Sequence, residues 1–197
     1  MALTARGKTV IGVLAVLVLL GAAVVGYLLM TGRGGTLGGI IGGTTRPEPC
    51  PLTGIEPESG SPERPALAIK VENIAEARPQ AGLDRADIVY EEPVEGGITR
   101  FVVVFHCGDA RRVGPVRSVR VVDADILVQF GRPLFGFAGG VPPAVRRVSR
   151  AGIQDLNYNV AVDAYTRDPN RSAPHDLYTS TRALYRAGED TGVPEPI

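Results

Sequence analysis

From Val10 to Met30 the chain reads VIGVLAVLVLLGAAVVGYLLM, 21 residues without a charge. Wound as an α-helix at about 1.5 Å per residue, such a run reaches about 30 Å, the thickness of a bilayer's hydrocarbon core. A cleaved signal peptide is the rival reading, because Gly21-Ala22-Ala23 offers small residues for cleavage. Its apolar region, however, spans only about 7–15 residues, and Val24 to Met30 carries the apolar run past that point. One transmembrane helix over residues 10–30 is therefore expected, following a short N-terminus at 1–9. Arg6 and Lys8 precede the run and only Arg33 follows closely. The bias of positive residues toward the cytoplasm then puts the N-terminus inside and the rest of the chain outside. The expected location is a cell membrane, crossed once.

Once Arg6 and Lys8 are set aside, 19 basic residues face 21 acidic ones. That balance excludes the basic footprint of a nucleic-acid binder. Residues 31–63 are rich in Gly, Pro, Thr and Ser with almost no apolar periodicity, which predicts a flexible or extended tether. Cys50 and Cys107 both lie beyond the anchor. In an exported domain a disulfide between them is permitted, and two free thiols are the alternative, since sequence cannot bring Cα atoms within bridging range. Lipidation of Cys50 is disfavoured, because Arg-Pro-Glu-Pro precedes it instead of small and aliphatic residues.

A folded domain is expected from residue 64 to 197. Ala66–Val71 and Ala86–Glu91 read as strands, and Gly96-Gly97 turns into ITRFVVVF, Ile98–Phe105, whose unbroken apolar half suits a central strand buried on both faces. Val119–Phe130 has helical apolar spacing and ends at Gly131, although Val121-Val122 leaves a strand possible. Pro133–Ala138 reads as a strand, a helix begins near Pro142-Pro143 and stops at Gly152, and Thr181–Glu189 reads as a last helix. Residues 154–180 are polar and irregular, with short extended pieces. Strands alternating with helices predict an α/β domain with a mixed, partly parallel sheet and flanking helices.

Three polar groups are candidates for chemistry. In YEEPVEGGITR, Glu91 and Glu95 flank a Pro-containing strand end near Arg100. They suit an acid/base pair or a hard-cation site, or else a solvated strand end with an ion pair to Arg100. In GPVRSVR, Arg117 and Arg120 share a face if they sit in a helical turn, where two guanidiniums suit a carboxylate or phosphate, or internal pairing with Glu91 or Glu95. The third group runs from Tyr165 through Asp168 and His175 to Tyr178 and Ser180. His175 follows Pro174 in a polar loop and is the better-placed of two histidines, since His106 ends an apolar strand. One histidine without partners at ligand spacing does not predict a metal site, and no phosphate loop, nucleophile elbow or cofactor motif is present. No metal or cofactor is expected.

RPALAIKVEN, ARPQAGLDRADIVYE, VEGGITRF, GPVRS and APHDLYTST, in this order across residues 64–185, resemble the YerB-like family of bacterial envelope proteins, a domain of unknown function. The resemblance implies an N-terminal lipoprotein signal or anchor, this α/β domain and a further C-terminal segment. It implies that the matching polar residues Asn73, Arg78, Gln80, Asp87, Tyr90, Glu91, Glu95, Thr99, Arg100, Arg117, Asp168, His175 and Tyr178 matter, and that Glu91, Glu95, Arg117 and His175 converge on one cleft. The chain departs from the family pattern at Glu92 and Pro93, where small or aliphatic residues are usual. Asp176 stands in place of Asn and Val141 in place of Ser, and the chain lacks a lipobox. It ends at Ile197 where members continue, so a C-terminally shortened domain is expected.

Two function classes follow. The favoured one is a membrane-anchored, extracytoplasmic binding or accessory protein of the envelope, engaging a cell-wall polymer or an envelope protein. Its ligand-facing residues would be Asn73, Arg78, Tyr90, Arg100, Arg117, Arg120, Asp168 and Tyr178. The alternative is an envelope hydrolase or transferase acting on wall glycan or peptide. There Glu91 or Glu95 would be the acid/base, Arg117 and Arg120 would hold an anionic group, and His175 would assist.

Overall fold

The computed structural model describes residues 20, 27, 48–57 and 63–190. The expected membrane span at 10–30 lies outside these, apart from Leu20 and Tyr27, both in helical backbone, as does most of the expected tether. Among the described residues, no helix is long and apolar enough to cross a membrane.

The domain is organised around one strand that alternates between two cores. In β1 (Leu67–Glu72) all six residues are buried. Successive strand side chains point to opposite faces, so Leu67, Ile69 and Val71 enter one core and Ala68 enters the other. The same alternation sends Lys70 and Glu72 to the Ala68 side. β1 pairs antiparallel with β3 (Thr99–Phe105), which pairs antiparallel with β2 (Ile88–Pro93). On its other edge β1 pairs parallel with β4 (Leu134–Gly136), which pairs parallel with β5 (Gln154–Asp155). The sheet order is β2-β3-β1-β4-β5, a mixed sheet with one antiparallel and one parallel half.

Helix α1 (Val121–Leu127) and helix α2 (Pro142–Arg150) cover the Ala68 face, packing Ala124, Leu127, Ala144 and Val148 against Val102, Val104 and Phe135. The opposite face is covered by α3 (Thr181–Asp190), through Leu184, and by the antiparallel pair β6 (Tyr165–Arg167) and β7 (Leu177–Thr179). The result is a layered α/β arrangement with the sheet between two cores.

Several boundaries move from their sequence expectation for local reasons. Strand β2 starts later and extends to Pro93, which an edge strand accepts because the missing N–H faces no partner. The helix expected from Val119 begins at Val121, because Val119 is held extended by its N–H bond to Gly139 O at 2.9 Å. The Asp123 carboxylate accepts the Arg120 N–H at 2.6 Å and starts the helix there. The helix tightens into a 3-10 turn at Val128–Phe130 before Gly131, φ 70°. The short extended pieces expected within the irregular residues 154–180 are β5, β6 and β7, each of two or three residues and too short to show a period.

Residues 48–57, expected within the tether, pack against the domain. Cys50 is buried and joined to Cys107 by a disulfide, with Cα atoms 6.0 Å apart, and its N–H and C=O close a turn with Ile55 and Gly54.

Candidate functional site: a buried charge network at the end of strand β1

Strand β4 accompanies β1 only as far as Ile69. Beyond it the segment Gly114–Ser118 takes over the edge: Val71 bridges Val116, the Glu72 N–H donates to Pro115 O at 3.0 Å, and the Arg117 N–H donates to Lys70 O at 2.9 Å. Only glycine fits at position 114. Its φ is 147°, and a Cβ there would lie 2.8 Å from Tyr178 Cδ1 and 2.9 Å from Leu177 O. This close crossing lays Arg117 beside the strand end and brings the segment before β7, with His175, over it.

Cross-strand register does the rest. Glu72 stands opposite Arg100, and Arg100 opposite Glu92, so three charged side chains form a row on one face, one step beyond Lys70. Lys70 is wholly buried and its Nζ donates to the Glu92 carboxylate and, at 2.7 Å, to Asp123 Oδ1 from α1. Glu72, 1% exposed, accepts from Arg100 Nε at 3.3 Å and is ion-paired to Arg117 Nε through its other oxygen. His175 Nδ1 stands 3.9 Å from that oxygen. Arg100 also donates to Ser118 O at 3.0 Å.

Three cations and three carboxylates therefore balance within one network, the condition under which charges tolerate burial. The balance is local and strained toward neutrality. Burial raises the Glu92 carboxyl above the usual carboxylate range despite the Lys70 contact, and burial lowers the Arg100 guanidinium from its usual value. Glu92 Oε2 has no hydrogen-bond partner among the described residues.

A second network lies at the same strand end and is made of amides and hydroxyls. Asn73 Nδ2 donates to Thr99 Oγ1 at 2.7 Å and to Glu91 Oε1 at 3.1 Å, and the Thr99 hydroxyl donates to the same Glu91 oxygen at 2.6 Å. Asn73 Oδ1 accepts from Gln80 Nε2 at 2.9 Å and Arg78 at 3.2 Å. Glu91 is thereby held in place on the surface side of β2.

The remaining candidates are dispersed. Glu95 is exposed and paired with Arg120 at 2.7 Å, which holds its carboxyl below the usual range. Asp168 pairs with Arg112, whose guanidinium lies 3.7 Å from the centre of the Tyr178 ring, and that pairing likewise lowers the Asp168 carboxyl. Tyr90 packs edge-on against Phe130, 6.4 Å between ring centres. Asp87 accepts the backbone N–H groups of His106, Cys107 and Gly108 at 2.5–3.1 Å and orders the turn after β3. The structure thus brings Arg100, Arg117 and His175 together around Glu72. It places Glu91 in the Asn73 network and Glu95 in an exposed ion pair with Arg120.

Lys70, Glu72, Glu92 and Asp123 escaped the sequence reading. The available signal was the interruption of an apolar strand by a lysine and a glutamate two residues apart, both on one face of LAIKVE. Among the described residues, no three His, Cys, Asp or Glu side chains gather as a metal would require.

Residues 52–194 match the family model described as the N-terminal domain of a protein of unknown function, DUF3048. The chain belongs to the DUF3048 family. It is also 34% identical over 145 residues to a Bacillus subtilis (strain 168) protein named "Putative lipoprotein YerB", an alignment covering 73% of this chain and 43% of that protein. The crystal structure of the YerB protein from Bacillus subtilis superposes with a TM-score of 0.67, covering 75% of this chain and 51% of the crystallised one. The resemblance to YerB-like proteins holds, and this DUF3048 chain spans about half the length of the relatives it matches.

In this DUF3048 domain the large cavity lies at the opposite end of the sheet from the charge network. It measures about 1010 Å³ and is bordered by Arg64 before β1, the turn before β2, the loop after β3 and the length of α3. None of Glu72, Glu91, Glu92, Glu95, Arg117 or His175 lines it.

Proposed function

We infer that this chain is a membrane-anchored, extracytoplasmic binding or accessory module of the bacterial envelope. Residues 10–30 are the anchor, the N-terminus is cytoplasmic, and a short tether connects to the domain outside. Its partner is a cell-wall polymer or an envelope protein. A disulfide between Cys50 and Cys107 suits an oxidising compartment, and the name of the Bacillus subtilis relative is in keeping with an envelope location.

The observation that carries the binding role is the state of the carboxylates. Acid/base catalysis needs a carboxyl group free to exchange a proton with a substrate held in a pocket. Glu91 is bonded to Asn73 and Thr99, Glu95 to Arg120, and Glu72 to Arg100 and Arg117. None of them lines the large cavity. The hydrolase or transferase alternative, with Glu91 or Glu95 as acid/base, draws no support from this arrangement.

The test uses isolated cell walls and the intact chain. Sedimentation with walls, and no released glycan or peptide fragment by mass spectrometry, is the expected result. Fragment release would establish the enzymatic alternative instead. Protease added to intact cells should cleave the domain; protection until lysis would overturn the topology.

A further inference from the structure

The wall of the large cavity is a concentration of arginines with too few acids to balance them. Arg64, Arg85, Arg111, Arg112, Arg182 and Arg186 line it, against Asp84, Asp109 and Glu189. Three of the cations are already engaged, Arg85 among them. Arg64 donates to Asp109, to Gly108 O and to His106 O and lies 4.2 Å from the centre of the Tyr185 ring, and Arg112 is bonded to Asp168. The cavity's inner acid is committed as well, because Asp109 also accepts the Thr181 hydroxyl at 2.8 Å.

Arg111, Arg182 and Arg186 are different. All three are exposed, and no acidic partner is bonded to them among the described residues. Arg182 and Arg186 are four residues apart on α3, a spacing at which like charges repel. Beneath them the Tyr185 hydroxyl donates to Pro65 O at 3.1 Å and Phe105 O at 3.3 Å, giving the groove a fixed floor.

We propose that this groove is a binding site for a polyanion carrying repeated phosphate groups. The guanidinium fork matches the oxygens of phosphate, and unpaired forks on two separate segments can engage several groups at once. At about 1010 Å³ the groove exceeds what one phosphate fills. Its concavity suits a chain laid along it, whereas an anionic bilayer is flat and would meet a flat or convex basic face. The proposal deepens the binding-module reading by naming a ligand class, at a site separate from the charge network.

The test measures binding of the intact chain, in neutral detergent, to inorganic polyphosphate by calorimetry. R182Q/R186Q is the probe variant. R146Q/R150Q is the control, removing two exposed arginines of the same spacing from α2, which covers the other face of the sheet and does not line the groove. The expected result is affinity that weakens with salt and falls about tenfold or more in R182Q/R186Q only, with unchanged thermal unfolding. Equal losses in the two variants would reduce the effect to general electrostatics and overturn the proposal. Equal competition by polyglutamate would overturn the phosphate assignment, and tighter binding to phosphatidylglycerol vesicles would transfer the groove to a lipid surface. Wall sedimentation that persists in R182Q/R186Q would sink this site while leaving the wall-binding reading intact.

Discussion

Lys70 is wholly buried, and its charge is met by Glu92 and Asp123. Of these, Glu92 has the clearest consequence for pH. Its carboxyl is raised above the ordinary 4.5 in the folded state, chiefly by burial. A group whose pKa is higher folded than unfolded binds more protons in the native state between the two values. Its contribution to stability is then complete below pH 4.5 and is lost as pH rises through the folded value. Glu92→Gln has no such proton to lose. Urea denaturation across pH should therefore show wild type losing stability relative to E92Q as pH rises from 4.5; parallel curves would contradict the assignment. The pairing of Lys70 could not be seen in sequence, because Glu92 and Asp123 lie 22 and 53 residues away. Only the out-of-place lysine in LAIKVE was visible.

At the scale of elements, the segment Gly114–Ser118 decides where the charged groups meet. It replaces β4 along the end of β1, and it does so because residue 114 lacks a side chain. Gly114→Ala would force a Cβ to within 2.8 Å of Tyr178 at a φ of 147°. The expected cost is about 1–3 kcal/mol, read as a lower urea midpoint with an unchanged m-value. A midpoint equal to wild type would mean that the crossing is not tight. The strands β1 and β3 were legible because their apolar patterns run for six residues or more, and α2 was legible from the prolines at its start and the glycine at its stop. Strands β5, β6 and β7 showed only as short extended pieces without bounds, since two or three residues carry no period and their pairing depends on neighbours distant in sequence. Arg117 and Arg120 would share a face only in a helical turn. They lie on extended backbone before α1 instead, and each pairs with a different glutamate.

Across the whole molecule, the link between Cys50 and Cys107 ties residues 48–57 to the turn after β3 across 57 residues of sequence. Closing a loop of that length removes unfolded-state entropy worth about 4 kcal/mol on the chain-entropy account. A C50S/C107S variant should unfold with stability lower by about that amount, and dithiothreitol should destabilise wild type alone. A variant as stable as wild type under reducing and oxidising conditions would show the link to be dispensable. The apolar run at 10–30, the near-neutral balance of charge beyond it and the order of strong strands and helices follow from residue type and spacing over short stretches. Those are local properties, and sequence alone determines them. Which charges neutralise which, why Glu91 and Glu95 sit in separate bonding arrangements, and where arginines from four segments border one groove were decided by tertiary structure. Each depends on strand register and chain crossing, which bring together side chains that lie apart in sequence.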